Sequence, residues 1–251
     1  MFLHGQPSTH VTWLPARRLL PEVDVLMPDR PGYGANPARP SDYPGNVEWL
    51  LRMLDDAGIE RAVLAGHSWG GGIGLLAAAR HPDRVAGLLL VASVGPRCLL
   101  WQDHPLAWPV LGDVLAFTAL RLGSPIVRWQ TYRELRRRVA RPDLGEVAES
   151  LRSQFDRPVW RSFVREQRAL LRQLPALNAT LSEIDTPTIV LAGSSDSTIP
   201  PVTPRLLSTG IAGAQLRVVP GVGHILPLDA PSVVARSVLD LLARAGAARP
   251  A

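Results

Sequence analysis

The stretch Val63-Leu64-Ala65-Gly66-His67-Ser68-Trp69-Gly70-Gly71-Gly72 constrains this chain more than any other. An apolar run short enough for a strand ends at Gly66, and a small-residue segment suited to a helix begins at Trp69. Ser68 is left on the turn between them. A serine lifted out of such a turn sits in a strained backbone conformation, so the residues two places to either side must lack a β-carbon that would clash; Gly66 and Gly70 supply that. The pattern therefore predicts a strand, a sharp elbow that presents the Ser68 hydroxyl, and a helix from about residue 69 to 80, halted by His81-Pro82.

The same rhythm of apolar run, loop and helix recurs on both sides. Residues 1–3 read as the tail of a strand running into His4-Gly5-Gln6-Pro7. Residues 23–27 read as a second strand, closed by Asp29-Arg30-Pro31-Gly32-Tyr33-Gly34. Val47, Leu50, Leu51 and Leu54 have helical spacing, with Asn46 as N-cap and Gly58 as the C-terminal stop. Residues 85–91 form a fully apolar strand, as a parallel sheet covered on both faces requires. Residues 187–193 and 215–219 supply two more strands, and a helix opens at Pro231 before an Ala-rich tail from Ala243 that is expected to fray. Alternation of this kind predicts a doubly wound α/β architecture with a mostly parallel sheet. The helix after Ser68 carries Gly70, Gly71, Gly72 and Gly74, a poor composition unless it packs unusually close to the sheet.

Between residues 97 and 184 the rhythm changes: there is no convincing strand, and Trp101, Trp108, Trp129 and Trp160 are spread through helix-length segments. This reads as a helical cap inserted into a core made of residues 1–96 and 185–251. Its tryptophans either hold small helices together or line an apolar pocket. The segment holds 14 arginines against 9 acidic residues, whereas the rest of the chain balances 13 against 13, so the whole +5 charge lies here. All 27 basic residues are arginine. The tightest cluster, Arg133 with Arg136, Arg137 and Arg138, has acids beside it and no interleaved aromatics suited to stacking bases, so it reads as a solvated helix face and not as a nucleic-acid site. The single cysteine, Cys98, can form no internal disulfide and reads as an apolar filler.

Ser68, Asp196 and His224 each stand just after an expected parallel strand. In an open α/β sheet such positions converge on one edge, where ligands bind. The order serine, aspartate, histidine suits an acyl-transfer triad in which His224 takes the Ser68 proton and Asp196 fixes the imidazole tautomer. The loop after the strand at residues 85–91 holds no rival acid. His67 is expected in packing, and His4, His10, His81 and His104 in loops or on the surface.

These landmarks, in order His4-Gly5-Gln6-Pro7, Asp29-Arg30-Pro31-Gly32-Tyr33-Gly34, Gly66-His67-Ser68-Trp69-Gly70, Gly193 with Asp196 and Pro200, and Gly223-His224, resemble the α/β-hydrolase fold superfamily along nearly the whole chain. The resemblance is to its small capped members: esterases, proline iminopeptidases, haloperoxidase-like enzymes and carbon–carbon bond hydrolases. It implies an oxyanion hole made by the backbone N–H groups of Gln6 and Trp69, no metal or organic cofactor, and a cap that shapes substrate choice. Serine at the elbow sets the chain apart from epoxide hydrolases and haloalkane dehalogenases, which are similar but carry aspartate there. One departure is the short lead into His4: relatives have an upstream hairpin and a longer strand, so the N-terminal strands are expected to be missing and Met1 to be an internal methionine of a longer gene.

The expected activity is that of a serine hydrolase acting on a small-molecule ester or similarly activated acyl compound. Cleavage of a carbon–carbon bond in a dienoic ketoacid, release of an N-terminal proline, and a non-catalytic ligand-binding or truncated homologue are the alternatives. No apolar run approaches the ~20 residues needed to span a bilayer, and residues 1–20 lack a basic stretch followed by an apolar core. A soluble, cytoplasmic protein without membrane or nucleic-acid partners is expected. Oligomeric state is not readable.

Overall fold

The computed structural model of this chain describes residues 1–122 and 159–247. Five of the expected apolar runs are strands: β1 (Phe2–Leu3), β2 (Ala62–His67), β3 (Val85–Val91), β4 (Thr188–Gly193) and β5 (Gln215–Val219). All four pairings are parallel, in the order β1-β2-β3-β4-β5. The side chains alternate as the pleat requires. Leu3, Leu64, Leu88, Leu90 and Val190 enter one core cluster; Phe2, Val63, Ala65, Leu89, Val91, Ile189 and Leu191 enter the other.

Each cluster is closed by helices. Over the first lie α2 (Tyr43–Asp56) and α3 (Trp69–Arg80), which bring Val47, Leu50, Leu54, Ile73 and Leu76, and α7 (Val202–Gly210), which brings Leu207. Over the second lie the short α1 (Leu14–Arg17) with Trp13 before it, α8 (Leu226–Asp229), and α9 (Pro231–Ala247) with Val234, Val238 and Leu241. Burying each such aliphatic side chain stabilises the fold by roughly 1.5–3 kcal/mol. The glycines of α3 let it approach as closely as expected: a β-carbon at Gly74 would lie 2.8 Å from the Leu88 side chain of β3. The helix α9 runs on through the tail expected to fray, as far as Ala247.

Residues 23–27 are the exception among the expected strands. They carry the period-2 alternation, Val23, Val25 and Met27 packing on one cluster and Leu26 on the other, but they form no ladder. Their neighbour β1 offers only two residues, and a single bond, Phe2 N–H to the Leu26 carbonyl at 2.8 Å, joins the two. This edge segment fixes the topology. The chain steps outward from β1 to residue 26 and then returns through α2 to β2 on β1's other side. The ends of β1 and β2 thus flank the point where the winding reverses, the crevice in which open α/β sheets bind ligands.

The helix expected near residue 46 starts earlier. Asp42 is its N-cap, accepting from Gly45 N–H at 3.2 Å. Asn46 is buried inside the first turn, with its Nδ2 donating to the Ser41 and Asp42 carbonyls. Its far end stops at Gly58 as expected: φ is +67°, Ile59 N–H reaches the Leu54 carbonyl and Gly58 N–H the Asp55 carbonyl, the two bonds of a Schellman turn.

In the segment 97–184 the described residues contain no strand. They form α4 (Asp103–Ala107), α5 (Leu111–Phe117), a π turn at Thr118–Leu122, α6 (Val159–Ala179) and a 3-10 turn at Leu181–Glu183. The second half of α6 buries Leu170, Leu174 and Leu177 in the core cluster that also holds α3. Trp160 meets Phe117 edge-on at 5.7 Å and so ties α6 to α5. Trp101 is 82% exposed and Trp108 55% exposed, so neither is buried between helices of the described residues. Trp129 and the arginine cluster at residues 133–138 lie outside the described residues. Among the described residues no helix is long and apolar enough to cross a membrane.

Candidate active site

Ser68 sits at φ 52° and ψ −120°, between the last residue of β2 and the first of α3. For a non-glycine residue this conformation is strained and persists only where the surroundings enforce it. They do so through backbone. Ser68 N–H donates to the Val91 carbonyl of β3 at 2.9 Å, and its own carbonyl accepts from Gly71 and Val94 N–H. A β-carbon at Gly66 would lie 2.5 Å from the Gly70 oxygen, and one at Gly70 would lie 2.5 Å from the Leu3 oxygen. The two glycines inferred from the motif are therefore required by close backbone approach, of the elbow to itself and of the elbow to the end of β1.

The His4–Gln6 loop leaves β1 directly over this turn. A β-carbon at Gly5 would be 3.0 Å from Ser68 Cβ, so the loop passes in contact with the serine. Gln6 N–H has no hydrogen-bond partner among the described residues. Trp69 is the first residue of α3, where helical N–H groups lack intrahelical acceptors. Trp69 is itself fixed: its indole stacks on Tyr43 with centroids 4.2 Å apart and its Nε1 donates to the Glu166 carbonyl at 3.3 Å.

Two and three strands away, past the ends of β4 and β5, Asp196 and His224 meet. Imidazole Nδ1 is 2.9 Å from Asp196 Oδ2, with the two side chains 15% and 5% exposed. Their loops are locked together at the ends of β4 and β5. Ser195 N–H donates to the Val222 carbonyl, Gly221 N–H to Ser194 Oγ, and a β-carbon at Gly193 would lie 2.6 Å from the Gly223 oxygen. The other carboxylate oxygen, Oδ1, accepts from Thr198 and Ile199 N–H at 2.8 and 2.9 Å. Burial alone would raise the Asp196 pKa, but the His224 contact and these two amides hold it below the ordinary carboxylate value. Asp196 is thus an acceptor only, and Nδ1 donates the proton of this bond. Among the described residues no hydrogen bond joins Ser68 Oγ to the imidazole.

A family model described as "Alpha/beta hydrolase family" matches residues 1–237 of the chain. The chain belongs to the alpha/beta hydrolase family. This hydrolase is 30% identical to a 2-hydroxymuconate semialdehyde hydrolase of Pseudomonas sp. (strain CF600), over 99% of its own length and 88% of the relative's. It is 28% identical to a pimeloyl-[acyl-carrier protein] methyl ester esterase of Neisseria meningitidis, over 82% of its own length and 79% of the relative's. Its fold matches that of a thermophilic esterase from Thermogutta terrifontis with a TM-score of 0.74 at 23% identity, covering 97% of this chain and 89% of that one.

Three features of the candidate site are absent from the sequence reading. His67, expected in plain packing, is buried but hydrogen-bonds the His224 carbonyl through Nε2 at 3.0 Å, with its ring 4.9 Å from that of His224. His4, expected in an ordinary loop, is fully buried; its Nδ1 bonds the Gly5 carbonyl and its Nε2 accepts from Arg30 N–H. Beneath them lies a fully buried ion pair between Arg30 and Glu166 of α6. Cys98 is buried, its thiol pushed up to about 11 by burial, which agrees with a filler. Among the described residues no cluster of His, Cys, Asp and Glu is arranged to hold a metal ion.

Proposed function

We propose that this hydrolase cleaves an ester or other activated acyl compound with Ser68 as nucleophile, His224 as general base and then acid, and Asp196 as the carboxylate that orients and stabilises the imidazole. The observation that carries this reading is the 2.9 Å Asp196–His224 contact at the same sheet edge as a serine held at positive φ. His224 Nε2 accepts the Ser68 proton as Oγ adds to the scissile carbonyl. The resulting oxyanion takes hydrogen bonds from the N–H groups of Gln6 and Trp69. The imidazolium returns the proton to the leaving group, and water repeats the sequence on the acyl-enzyme. Transfer needs Oγ and Nε2 about 3 Å apart, a contact that commonly tightens only when substrate is bound. Residues 97–184 act as the cap over this edge, with α6 as the helix rooted in the core.

A second reading uses the same residues on a dienoic ketoacid, cleaving a carbon–carbon bond with water so that the acyl carbon takes the hydroxyl and the leaving carbon takes the proton. The 30% identity to a 2-hydroxymuconate semialdehyde hydrolase favours it. The arginine excess of residues 97–184 would suit an acidic substrate.

The test is turnover of acyl esters of graded chain length beside a ring-fission ketoacid and an N-terminal prolyl amide, with fluorophosphonate labelling in parallel. Labelling and ester turnover are expected, and both are expected to vanish in Ser68→Ala. Ester turnover that survives Ser68→Ala overturns the serine mechanism. Turnover confined to the ketoacid favours the second reading, and a chain that neither labels nor turns over any compound is a binding homologue.

A further inference from the structure

Arg30 and Glu166 stand 136 residues apart in sequence and are both fully buried, joined by hydrogen bonds from Nη1 and Nη2 to the two carboxylate oxygens. A buried ion pair is a poor way to stabilise a fold, because removing two charges from water costs about as much as their attraction returns. What distinguishes this pair is where its remaining donors and acceptors go. Arg30 Nη2 donates to the Gly5 carbonyl at 2.9 Å and Nε donates to the His4 carbonyl at 2.8 Å. His4 Nδ1 donates to the same Gly5 carbonyl at 2.9 Å, its tautomer set by Nε2 accepting from Arg30 N–H. Tyr33 Oη donates to Glu166 Oε2 at 2.7 Å, and the Glu166 carbonyl accepts from the Trp69 indole. The guanidinium lies 4.6 Å from the Trp69 ring centroid and 4.8 Å from that of Tyr33.

We propose that Arg30 and Glu166 are positioning residues for the oxyanion hole, an inference that rests on the acyl-transfer reading above. The Gly5–Gln6 peptide is trans, so its carbonyl and its N–H point in opposite directions. Two donors fix the Gly5 carbonyl toward Arg30 and His4. The Gln6 N–H is thereby turned to the far side, where it has no partner among the described residues. Glu166 closes the arrangement from α6: its carboxylate sets the rotation of the guanidinium, and its backbone carbonyl holds the indole of Trp69, the residue that supplies the second N–H. One helix of the 97–184 segment thus anchors both donors, and an oxyanion hole gains most from donors aimed before the charge develops.

The test replaces both charges together, since Glu166→Gln alone leaves an unpaired buried guanidinium. In Arg30→Met/Glu166→Gln, kcat on the best ester from the screen is expected to fall about 100-fold with KM within about threefold. Affinity for the matching trifluoromethyl ketone, whose hemiketal alkoxide occupies the same hole, should fall in parallel. An unchanged kcat in a cooperatively melting variant overturns the proposal. So does a rise in KM at constant kcat, which would make the pair part of the pocket wall. Arg30→Lys carries the test if the double variant does not fold: it keeps a charge opposite Glu166 but lacks the fork that reaches both carbonyls, and about tenfold lower kcat is expected, an unchanged value overturning the proposal. Activity abolished by Ser68→Ala but unaffected here refutes the positioning role alone. Activity surviving Ser68→Ala refutes the serine mechanism and the positioning role with it.

Discussion

The backbone carbonyl of His224 accepts a hydrogen bond from His67 Nε2 at 3.0 Å, so the residue before the elbow serine is tied to the residue proposed as its base. Because Nε2 must carry the proton for this bond, Nδ1 is bare, and it has no partner among the described residues. Burial is the main force on this ring and the charge of His224 adds to it; together they lower its pKa to about 3.

That shift sets a pH dependence. Between pH ~6.5 and 3 the unfolded chain binds a proton at residue 67 that the folded chain refuses, so stability is lost as the pH falls through this window. The loss attributable to His67 is at most about 5 kcal/mol. Urea midpoints measured from pH 7 down to pH 4 should therefore fall steeply for the wild type and less steeply for His67→Gln. Some slope will remain, because His4 is shifted in the same direction by burial and by Arg30. Parallel curves for the two proteins would mean that His67 titrates normally in the fold.

Asp196→Asn preserves the acceptor for Thr198 and Ile199 but removes the negative charge facing Nδ1. With the tautomer no longer enforced, kcat should drop by roughly 10³–10⁴ while the protein melts within a few degrees of the wild type. Steady-state kinetics with a melting curve check it; a loss below tenfold would remove Asp196 from the mechanism.

Two glycine substitutions separate backbone approach from backbone conformation. Gly66→Ala would drive a β-carbon to 2.5 Å from a peptide oxygen that has nowhere to go, so the elbow must open and both turnover and folding should suffer. Gly58→Ala meets nothing within 4 Å and pays only for its φ of +67°. About 1 kcal/mol is expected, a Tm lower by about 2–4 °C with kcat unchanged. Calorimetry and an activity assay on the pair decide it.

Asp42→Ala should cost about 1 kcal/mol by uncapping α2, and Asp42→Ser should restore most of that. Denaturant titration of the three proteins is sufficient. Equal losses in both variants would assign the effect to the Asp42–Gln173 contact at 2.9 Å instead.

Much of the geometry of the candidate site is legible in the sequence because its demands are local. Gly66 and Gly70 flank Ser68 in sequence and in space, and Gly193 and Gly223 announce loops that meet at the ends of adjacent strands. The cap of α2 was misplaced because Asp42 and Asn46 are both good capping residues and the apolar spacing starts only at Val47. Pro44 in the first turn was the signal for the earlier start. Arg30–Glu166 was illegible for a different reason. Glu166 falls among the arginines of α6, where an acid reads as part of a solvated face, and nothing local reports that α6 is pressed into the core. The same limit applies to residues 23–27: their alternation is real, and only the length of the neighbouring strand decides whether a ladder forms.

Among the described residues β5 is the last strand of the sheet, and Val218 on it is 53% exposed. The imidazole therefore hangs from the border of the sheet, whereas the serine hangs from inside it, between β1 and β3. Deuterium should enter the amides of residues 215–219 well before those of residues 62–67. Warming short of global melting would then silence the proposed proton transfer while leaving the alcohol in its strained pose, an inactivation that cooling reverses.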